Sequence, residues 1–470
     1  MNEPLLAAVD IGTTNLKVGL FTLTGQCRGT AQRVCSPQYL PDGRIQLEAD
    51  VWWQAFSDSF EECLSGVDRS QVKAIGISSQ AQTHVWIDSE GKAVTPAISW
   101  LDHGGDPAQV GEDLAGFNFY QHVGFASPSP AQALTKLKGR IGCPPEAVLS
   151  RHRLLFADGY LIHALTGSCA HSRNLAAMGG LYSMVLNDWW PEALASAKLP
   201  PEVLPCITDV GQVAGRLRHD LAQRWGVAGV PVVAGANDQT VAALGAGATQ
   251  PGDASLGMGT AIVAYEVIPS DAPLATHRSI RGPYLGSYHY QLQVCATGGA
   301  VIDWARTQLL DQAPWDVFFR KVLEQPLGCE GLRFLPEVGR GGAATGQFWG
   351  LTPGHTRLHM GRAVLEGVAC RIRTQFERMR QGGHVRVTGG GSQNTGWMQL
   401  LADITGRSLE RLDQSQAGLW GTAIAAAHGA GLASDMLALA AQTRGSGVVF
   451  RPRTEMTARY QPPYRDIIEA

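Results

Sequence analysis

The alternation of apolar and polar residues predicts the same supersecondary unit twice, about half a chain apart. An apolar run over 5–9 ends at Asp10, and the residues over 16–20 then alternate between apolar and polar, which is the period of a β-strand. A second unit has apolar runs over 254–256 and 261–265 around the tip sequence Gly-Met-Gly-Thr. This recurrence predicts two related domains, which we place at residues 1–247 and 248–470.

Shorter apolar segments over 72–77, 230–234 and 385–387 predict further strands, and the residues over 240–244 predict a helix. Strands that alternate with helices indicate the α/β class. A clearer helix follows Ser392, a candidate N-cap, because four apolar residues then fall on one helical face. These residues are Trp397, Leu400, Leu401 and Ile404.

The composition excludes several classes of protein. The 470 residues are 44% hydrophobic and 17% charged with a formal net charge of -3, so we expect no nucleic-acid surface. We expect no membrane segment, because no apolar run approaches roughly 18 residues, and the N-terminus does not resemble a signal peptide. The nine cysteines are scattered without a Cys-x-x-Cys pair, which favours reduced thiols and a cytoplasmic location over disulfides or zinc.

The usual nucleotide-binding motifs are missing from the sequence. It contains no GxxxxGK[ST] and no complete GxGxxG after a strand. The two predicted hairpin tips offer another phosphate cradle, since their glycines expose backbone N–H groups and their threonines supply hydroxyls. These residues are Gly12, Thr13 and Thr14 in the first tip and Gly259 and Thr260 in the second. Each tip alone is more typical of a tight hairpin turn, and it is the pair that favours a phosphate cradle.

Two aspartates follow apolar strands, where α/β proteins often present functional groups. Phosphoryl transfer to an alcohol needs a carboxylate to accept the hydroxyl proton and Mg²⁺ to neutralise the phosphates. Asp10 suits the metal and Asp238 suits the base, although an aspartate before a helix is also a common cap. The turn over 389–392, at the start of the predicted helix, is a third position suited to a nucleotide.

These motifs resemble those of the FGGY family of carbohydrate kinases. The similar segments run in the family's order: DIGTTNLKVGL, AGANDQTVAALGAG, SLGMGTAIVA, GLTPGHTRLHMGRAVLEGVA, GGGSQNTGWMQLLADITGRSLE and GLWGTAIAAAHGAG. The resemblance implies an α/β protein of two actin-like, ribonuclease-H-like domains with an interdomain cleft. It also implies ATP and Mg²⁺ as cosubstrates and a small sugar or polyol as the acceptor. A homodimer is compatible with the family.

The resemblance also assigns roles to individual residues. Asp238 would be the catalytic base, and Asp10 and Asp238 would hold Mg²⁺. The expected nucleotide contacts are Gly12, Thr13, Thr14, Gly259, Thr260, Gly390, Gly391, Gln393 and Asn394. The expected sugar contacts are Gln80, Ala81, Gln82, Trp100, Asp102, Asp238 and Gln239.

Three places depart from the family's pattern. Ala81 and Gln82 match neither xylulokinases nor glycerol kinases, His103 stands where an arginine is usual, and the loop over 338–343 lacks the family's Glu and Pro. Length and motif spacing are most similar to those of xylulokinases, so a pentulose such as xylulose is the first expected substrate. Glycerol, erythritol and gluconate are alternatives, as are an actin-like ATPase and a sugar sensor without turnover.

Overall fold

The structure is a computed structural model that describes residues 3–273, 279–295, 298–338, 344–379, 384–412, 416–442 and 447–460. Residues 339–343, where the sequence departs from the family's Glu and Pro, lie outside the described residues.

The described residues form short strands and helices along the whole chain. The strands are β1 (Leu5–Ile11), β2 (Asn15–Phe21), β3 (Cys27–Val34), β4 (Gln38–Tyr39), β5 (Ile45–Leu47), β6 (Val72–Ser79), β7 (His84–Ile87), β8 (Ala97–Ile98), β9 (Arg153–Phe156), β10 (Ala170–Ser172), β11 (Tyr182–Ser183), β12 (Asp188–Trp189), β13 (Cys206–Thr208), β14 (Val213–Arg216), β15 (Pro231–Asn237), β16 (Ala254–Met258), β17 (Ile262–Pro269), β18 (Ile280–Pro283), β19 (Tyr288–Cys295), β20 (Arg333–Val338), β21 (Ala344–Trp349), β22 (Val385–Thr388), β23 (Leu409–Arg411) and β24 (Val448–Phe450). The α-helices are α1 (Asp50–Leu64), α2 (Pro107–Asp113), α3 (Phe119–Val123), α4 (Ala133–Lys138), α5 (Ala157–Thr166), α6 (Arg173–Ala176), α7 (Pro191–Ser196), α8 (His219–Trp225), α9 (Asp238–Gly245), α10 (Gly298–Trp304), α11 (Trp315–Leu323), α12 (Arg357–Glu377), α13 (Thr395–Thr405), α14 (Ala417–Gly429), α15 (Met436–Gln442) and α16 (Thr454–Tyr460).

The chain forms two compact units whose segments alternate along the sequence. The first unit contains Met1–Thr249, Pro269–Tyr290 and Gln416–Arg444, and the second contains Gln250–Ile268, Gln291–Ser415 and Gly445–Ala470. The chain therefore leaves the first unit close to the predicted boundary after residue 247 and then returns to it twice. A single boundary cannot describe these returns, the second of which brings α14 against β1, β6 and β15.

The larger sheet of the first unit has the strand order β14-β15-β6-β1-β2-β3. β1 pairs antiparallel with β2, as the alternating pattern predicts, and both β1 and β15 run parallel to β6. The carboxyl ends of β1 and β15 therefore emerge at the same edge of the sheet. Asp10 lies near the end of β1 and Asp238 follows β15, so the topology brings both aspartates to that edge.

The second unit repeats this topology. The sheet that contains the second hairpin has seven strands in the order β18-β19-β17-β16-β22-β23-β24, in which β16 pairs antiparallel with β17 and parallel with β22. In both sheets the first strand of the hairpin, β1 or β16, lies inside the sheet. On one side it pairs with the second strand of the hairpin, β2 or β17. On the other side lie two strands that run parallel to it, β6 and β15 in the first sheet and β22 and β23 in the second. The predicted duplication is confirmed at the level of strand order.

The helix predicted after Ser392 is present, but it begins later. Its N-cap is Asn394, whose side chain accepts a hydrogen bond from the Trp397 N–H at 2.9 Å, while Gly390–Ser392 form a 3₁₀ turn. The assignment of Ser392 as the N-cap was wrong because the Ser392 hydroxyl donates to the Gly389 carbonyl instead. The predicted apolar face is buried at all four positions.

No helix among the described residues is both long enough and apolar enough to cross a membrane. Among the described residues, eight cysteines form no disulfide bond, namely Cys27, Cys35, Cys63, Cys143, Cys169, Cys206, Cys329 and Cys370.

Candidate active site

The tip of the β1–β2 hairpin is a tight turn closed by the backbone. The Gly12 N–H donates to the Asn15 carbonyl at 3.0 Å, and a Cβ on Gly12 would lie 2.9 Å from the same oxygen, so a side chain would crowd the turn. The indole Nε1–H of Trp100 donates to the Thr13 hydroxyl at 2.9 Å. This bond joins an expected sugar contact to an expected phosphate contact within the first unit. Thr14 is exposed beside them.

Asp10 and Asp238 influence each other electrostatically. Burial, and after it the negative charge of Asp238, raise the pKa of Asp10 to about 7, while the charge of Lys17 opposes the shift. Burial also raises the pKa of Asp238, against the hydrogen bonds that it accepts from Gln239. The Oδ1 atom of Asp10 is buried and has no hydrogen-bond donor among the described residues.

Asp238 is not the cap of the helix that it begins. The N-cap of α9 is Asn237, whose Oδ1 accepts from the Gln239 N–H at 3.0 Å. Asp238 accepts from the same N–H at 2.9 Å and from Gln239 Nε2 at 3.1 Å, so Gln239 orients the carboxylate. Because Asn237 performs the capping, helix capping does not explain an aspartate at position 238.

The loop that follows β6 contains two side-chain amide oxygens without hydrogen-bond partners among the described residues. The Gln80 N–H donates to the Ile11 carbonyl at 2.8 Å, which fixes the loop at the end of β1. Gln80 and Gln82 are buried, yet the Oε1 atom of each has no hydrogen-bond partner among the described residues. Gln82 has a left-handed φ of 71°, which is uncommon for a residue with a side chain. Ala81 lies between these two glutamines, and its small side chain leaves space that a larger residue would fill.

Asp102 satisfies backbone groups. Its Oδ2 accepts from the Ile45 N–H at 2.8 Å and its Oδ1 from the Gly104 N–H at 2.9 Å, and the residue is 1% exposed. A carboxylate retains further lone pairs, so the expected sugar contact of Asp102 stays a prediction. The departure at His103 lies on the surface.

The sequence analysis did not identify a buried lysine, Lys136, that lies beside Ser99 and Asp102. The Lys136 ammonium donates to the Ser99 carbonyl at 2.6 Å, and burial lowers its pKa to about 7 against the pull of Asp102. Burial and the charge of Lys136 lower the pKa of His84 to about 3, so the His84 ring is neutral at physiological pH. Lys136 is only the fourth residue of a six-residue helix, where no periodic pattern reveals a buried charge.

The second unit contains a cavity of about 900 Å³. All six nucleotide contacts expected in this unit line it, namely Gly259, Thr260, Gly390, Gly391, Gln393 and Asn394. Residues from α10 and α11 that were not foreseen complete the wall, among them Ile302, Trp315 and Phe319. A Cβ on Gly390 would meet nothing within 4 Å, so this glycine borders open space. The three remaining contacts, Gly12, Thr13 and Thr14, belong to the first unit with the aspartates.

Comparison with known proteins identifies the family. Residues 5–245 match the N-terminal domain and residues 258–430 the C-terminal domain of the FGGY family of carbohydrate kinases. The chain belongs to this family. As an FGGY kinase it is a phosphotransferase that uses an alcohol group as acceptor, and ATP is the phosphoryl donor that the family implies.

Its relatives carry several substrate names. The chain is 26% identical to an L-fuculokinase of Salmonella typhi, over 97% of this chain and 98% of that protein. It is 26% identical to a xylulose kinase of Escherichia coli (strain K12), over 91% and 90%. It is 29% identical to a glycerol kinase of Nitrosomonas eutropha, over 93% and 91%.

Solved structures confirm the fold of this FGGY kinase. A ligand-bound xylulose kinase from Lactobacillus acidophilus superposes with a TM-score of 0.90 at 21% identity, over 99% of this chain and 97% of that one. A xylulose kinase from Rhodospirillum rubrum gives 0.86 at 25% identity, over 99% and 98%. The expected two-domain actin-like, ribonuclease-H-like fold is therefore correct.

Proposed function

We propose that this FGGY kinase transfers the γ-phosphate of ATP to a hydroxyl of a neutral ketose, with a pentulose such as xylulose as the first candidate. The observation that carries the proposal is the pair of aspartates at one sheet edge. Asp10 lies near the end of β1 and Asp238 follows β15, two strands that run parallel to β6, and the charge of Asp238 raises the pKa of Asp10. A half-buried pair of acids whose pKa values are raised suits acid–base and metal chemistry.

Asp238 is the proposed general base. The acceptor hydroxyl gives its proton to the Asp238 carboxylate while its oxygen forms a bond to the γ-phosphorus and the bond from that phosphorus to ADP breaks. Gln239 holds the carboxylate from one side through two hydrogen bonds. The raised pKa favours proton uptake by this group.

Asp10 and Asp238 also fit a divalent cation. The buried Oδ1 of Asp10 has no donor among the described residues, and a cation would relieve the repulsion between the two carboxylates. The described residues contain no cluster of three or more metal-ligating side chains, which suits Mg²⁺, since it is bound by one or two carboxylates with water and phosphate oxygens. When bound, Mg²⁺ would neutralise charge on the phosphates.

The polar groups of the sugar loop favour a neutral acceptor. Gln80 and Gln82 offer amide groups that can donate to or accept from sugar hydroxyls. The neighbouring His84 is neutral, and burial lowers the pKa of Lys136 to about 7, so neither supplies a full fixed charge for the carboxylate of gluconate. Relatives named for the ketoses xylulose and L-fuculose are among the matches, and so are relatives named for glycerol and gluconate. The choice of a ketose therefore rests on the length and motif spacing, which resemble those of xylulokinases.

The cavity of the second unit is the proposed nucleotide site. Its volume of about 900 Å³ lies within the range that small-molecule sites usually have. Glycines at 259, 390 and 391 allow a ligand to approach the backbone, and Ile302, Trp315 and Phe319 offer an apolar surface for the base.

A coupled assay of ADP release tests the proposal. With ATP and Mg²⁺ it compares D-xylulose, L-xylulose, D-ribulose, L-fuculose, glycerol, erythritol and gluconate. We expect a ketose to give the highest kcat/KM. Preference for gluconate or glycerol would refute the substrate class, ADP release without sugar would indicate an ATPase, and sugar binding without turnover would indicate a sensor.

The variant Asp238→Asn tests the base. It should lose sugar phosphorylation by about 10²–10⁴-fold while it still binds ATP. Asp88→Asn is the matched control, because Asp88 accepts backbone N–H bonds in a turn and asparagine can accept them equally well. Near-normal turnover of Asp238→Asn would show that Asp238 is not the base.

A further inference from the structure

Strand β15 changes register immediately before Asp238. It pairs in parallel with β6, with Ala234 opposite Ile77 and Asn237 opposite Ser79. Three residue steps on β15, from 234 to 237, therefore face two steps on β6, from 77 to 79, which makes a β-bulge. A bulge leaves backbone groups without ladder partners and redirects the side chains that follow it.

Two buried side chains bind the backbone groups of this bulge. The Ser172 hydroxyl donates to the Gly235 carbonyl at 2.7 Å, and the Asn174 Oδ1 accepts from the Asn237 N–H at 2.8 Å. Ser172 ends β10 and Asn174 lies in α6, and both are at most 1% exposed. Ser172 and Asn174 thus supply hydrogen bonds to backbone groups that have no partner in the β-ladder at the bulge.

The side chain of Asn174 also reaches past Asp238. Its Nδ2 donates to the Thr240 hydroxyl at 3.2 Å and to the Pro283 carbonyl at 2.7 Å. Both N–H bonds of the amide are used and its oxygen is occupied, so the orientation of the amide is fixed. Asn174 therefore holds the backbone before Asp238 and a side chain after it.

We propose that Asn174, assisted by Ser172, is a positioning residue that aims the Asp238 carboxylate. The inference rests on the proposed role of Asp238 as the base. Asp238 follows the bulge directly, so its direction depends on how the bulge is held, and Asn174 bonds the chain on both sides of it. A misplacement of about 1 Å at a reacting group can cost about 10²-fold in rate.

A purely structural asparagine would behave differently. Its removal would lower the fraction of folded protein or the melting temperature, and kcat per folded molecule would stay unchanged. If Asn174 positions Asp238, removal of Asn174 lowers kcat, and it does so only in proteins that have a carboxylate at position 238. A double-mutant cycle between positions 174 and 238 separates the two.

The experiment measures kcat and KM for the unmodified protein, Asn174→Ala, Asp238→Asn and the double variant. The acceptor is whichever of D-xylulose, L-fuculose, glycerol and gluconate the unmodified protein turns over fastest. We expect Asn174→Ala to lower kcat about 10–100-fold with little change in KM for ATP. In the Asp238→Asn background the same substitution should change kcat by less than about twofold.

The control is Tyr160→Phe, which removes a hydrogen bond of 2.7 Å to Asp50 from a buried residue of the same unit. It should lower the melting temperature and leave kcat unchanged. Equal losses from Asn174→Ala in both backgrounds, or no loss of kcat in either, would overturn the proposal. If Asn174→Ala does not fold, Ser172→Ala replaces it in the same cycle, with a smaller loss expected. Full turnover by Asp238→Asn alone would instead refute the assignment of the base.

Discussion

Replacement of Lys136 by methionine should change how the stability of this kinase depends on pH. Lys136 is fully buried in α4, and its ammonium donates to the Ser99 carbonyl. Burial lowers its pKa from 10.5 to about 7, although the nearby charge of Asp102 favours the ammonium. The other titratable group that interacts with it is His84, which stays neutral above pH 4 because its own pKa is lowered to about 3.

The sign follows from the protons that each state binds. Between pH 7 and pH 10.5 the unfolded chain holds a proton on Lys136 that the folded chain has lost, so the free energy of unfolding rises with pH. The full difference is about 5 kcal/mol for about 3.5 units at 1.36 kcal/mol each. Between pH 7 and pH 9 the Lys136 contribution should rise by about 2 kcal/mol.

Urea unfolding of both proteins at pH 7 and pH 9 measures this contribution. The stability of the unmodified protein relative to Lys136→Met should increase by about 2 kcal/mol between the two pH values, since groups common to both proteins cancel. Lys138→Met is the control, because Lys138 is two residues away and partly exposed in an ion pair with Asp113. The reasoning would be refuted if the difference in free energy of unfolding between the unmodified protein and Lys136→Met did not change with pH, or if it decreased as pH rises.

Three further substitutions test other parts of the structure. Gly390→Val should raise KM for ATP without raising KM for the sugar, because its side chain would enter the cavity, and steady-state kinetics that show equal effects would contradict the nucleotide assignment. Trp100→Phe removes the hydrogen bond to Thr13 and should lower kcat/KM by about 2–10-fold, which corresponds to the free energy of one hydrogen bond. An unchanged kcat/KM would show that this hydrogen bond does not contribute to turnover. Gly421→Ala would place a Cβ 1.9 Å from the Val241 carbonyl, so it should lower the free energy of unfolding by about 1–3 kcal/mol, and an unchanged urea midpoint would mean that α14 can move aside at no cost.

The two hairpins could be predicted from sequence because their signal is local. In each hairpin, two apolar strands and a tip that contains glycine lie within about 16 residues, and the structure confirms β1–β2 and β16–β17. The return of the chain to the first unit could not be predicted. Helix α14 is buried at nearly every position, so it fits any apolar core, and its partners lie hundreds of residues earlier, as in the bond of 2.8 Å between Thr422 and Ser78.

The same contrast separates the predicted site residues from those that were missed. Asp10 and Asp238 each follow an apolar strand, and such positions are visible in one sequence. Asn174 and Lys136 belong to helices of four and six residues, too short for a periodic pattern, and their polar partners lie 63 and 37 residues away. Sequence reasoning finds groups that chemistry requires more readily than groups that hold them in place.

The identity of the acceptor is the property that overall similarity determines least. Relatives named for L-fuculose, xylulose, glycerol and gluconate match at 26%, 26%, 29% and 25% identity over at least 85% of the chain. Because proteins with different substrates match equally well, most of the shared residues must serve the fold and phosphoryl transfer, and few of them the sugar.

Ala81 and Gln82 are therefore the positions at which a substitution should change the choice of acceptor. If their replacement by Met and His, as in xylulokinases, raises kcat/KM for D-xylulose relative to the other acceptors, this loop selects the sugar. If the ranking of acceptors does not change, the selection lies elsewhere.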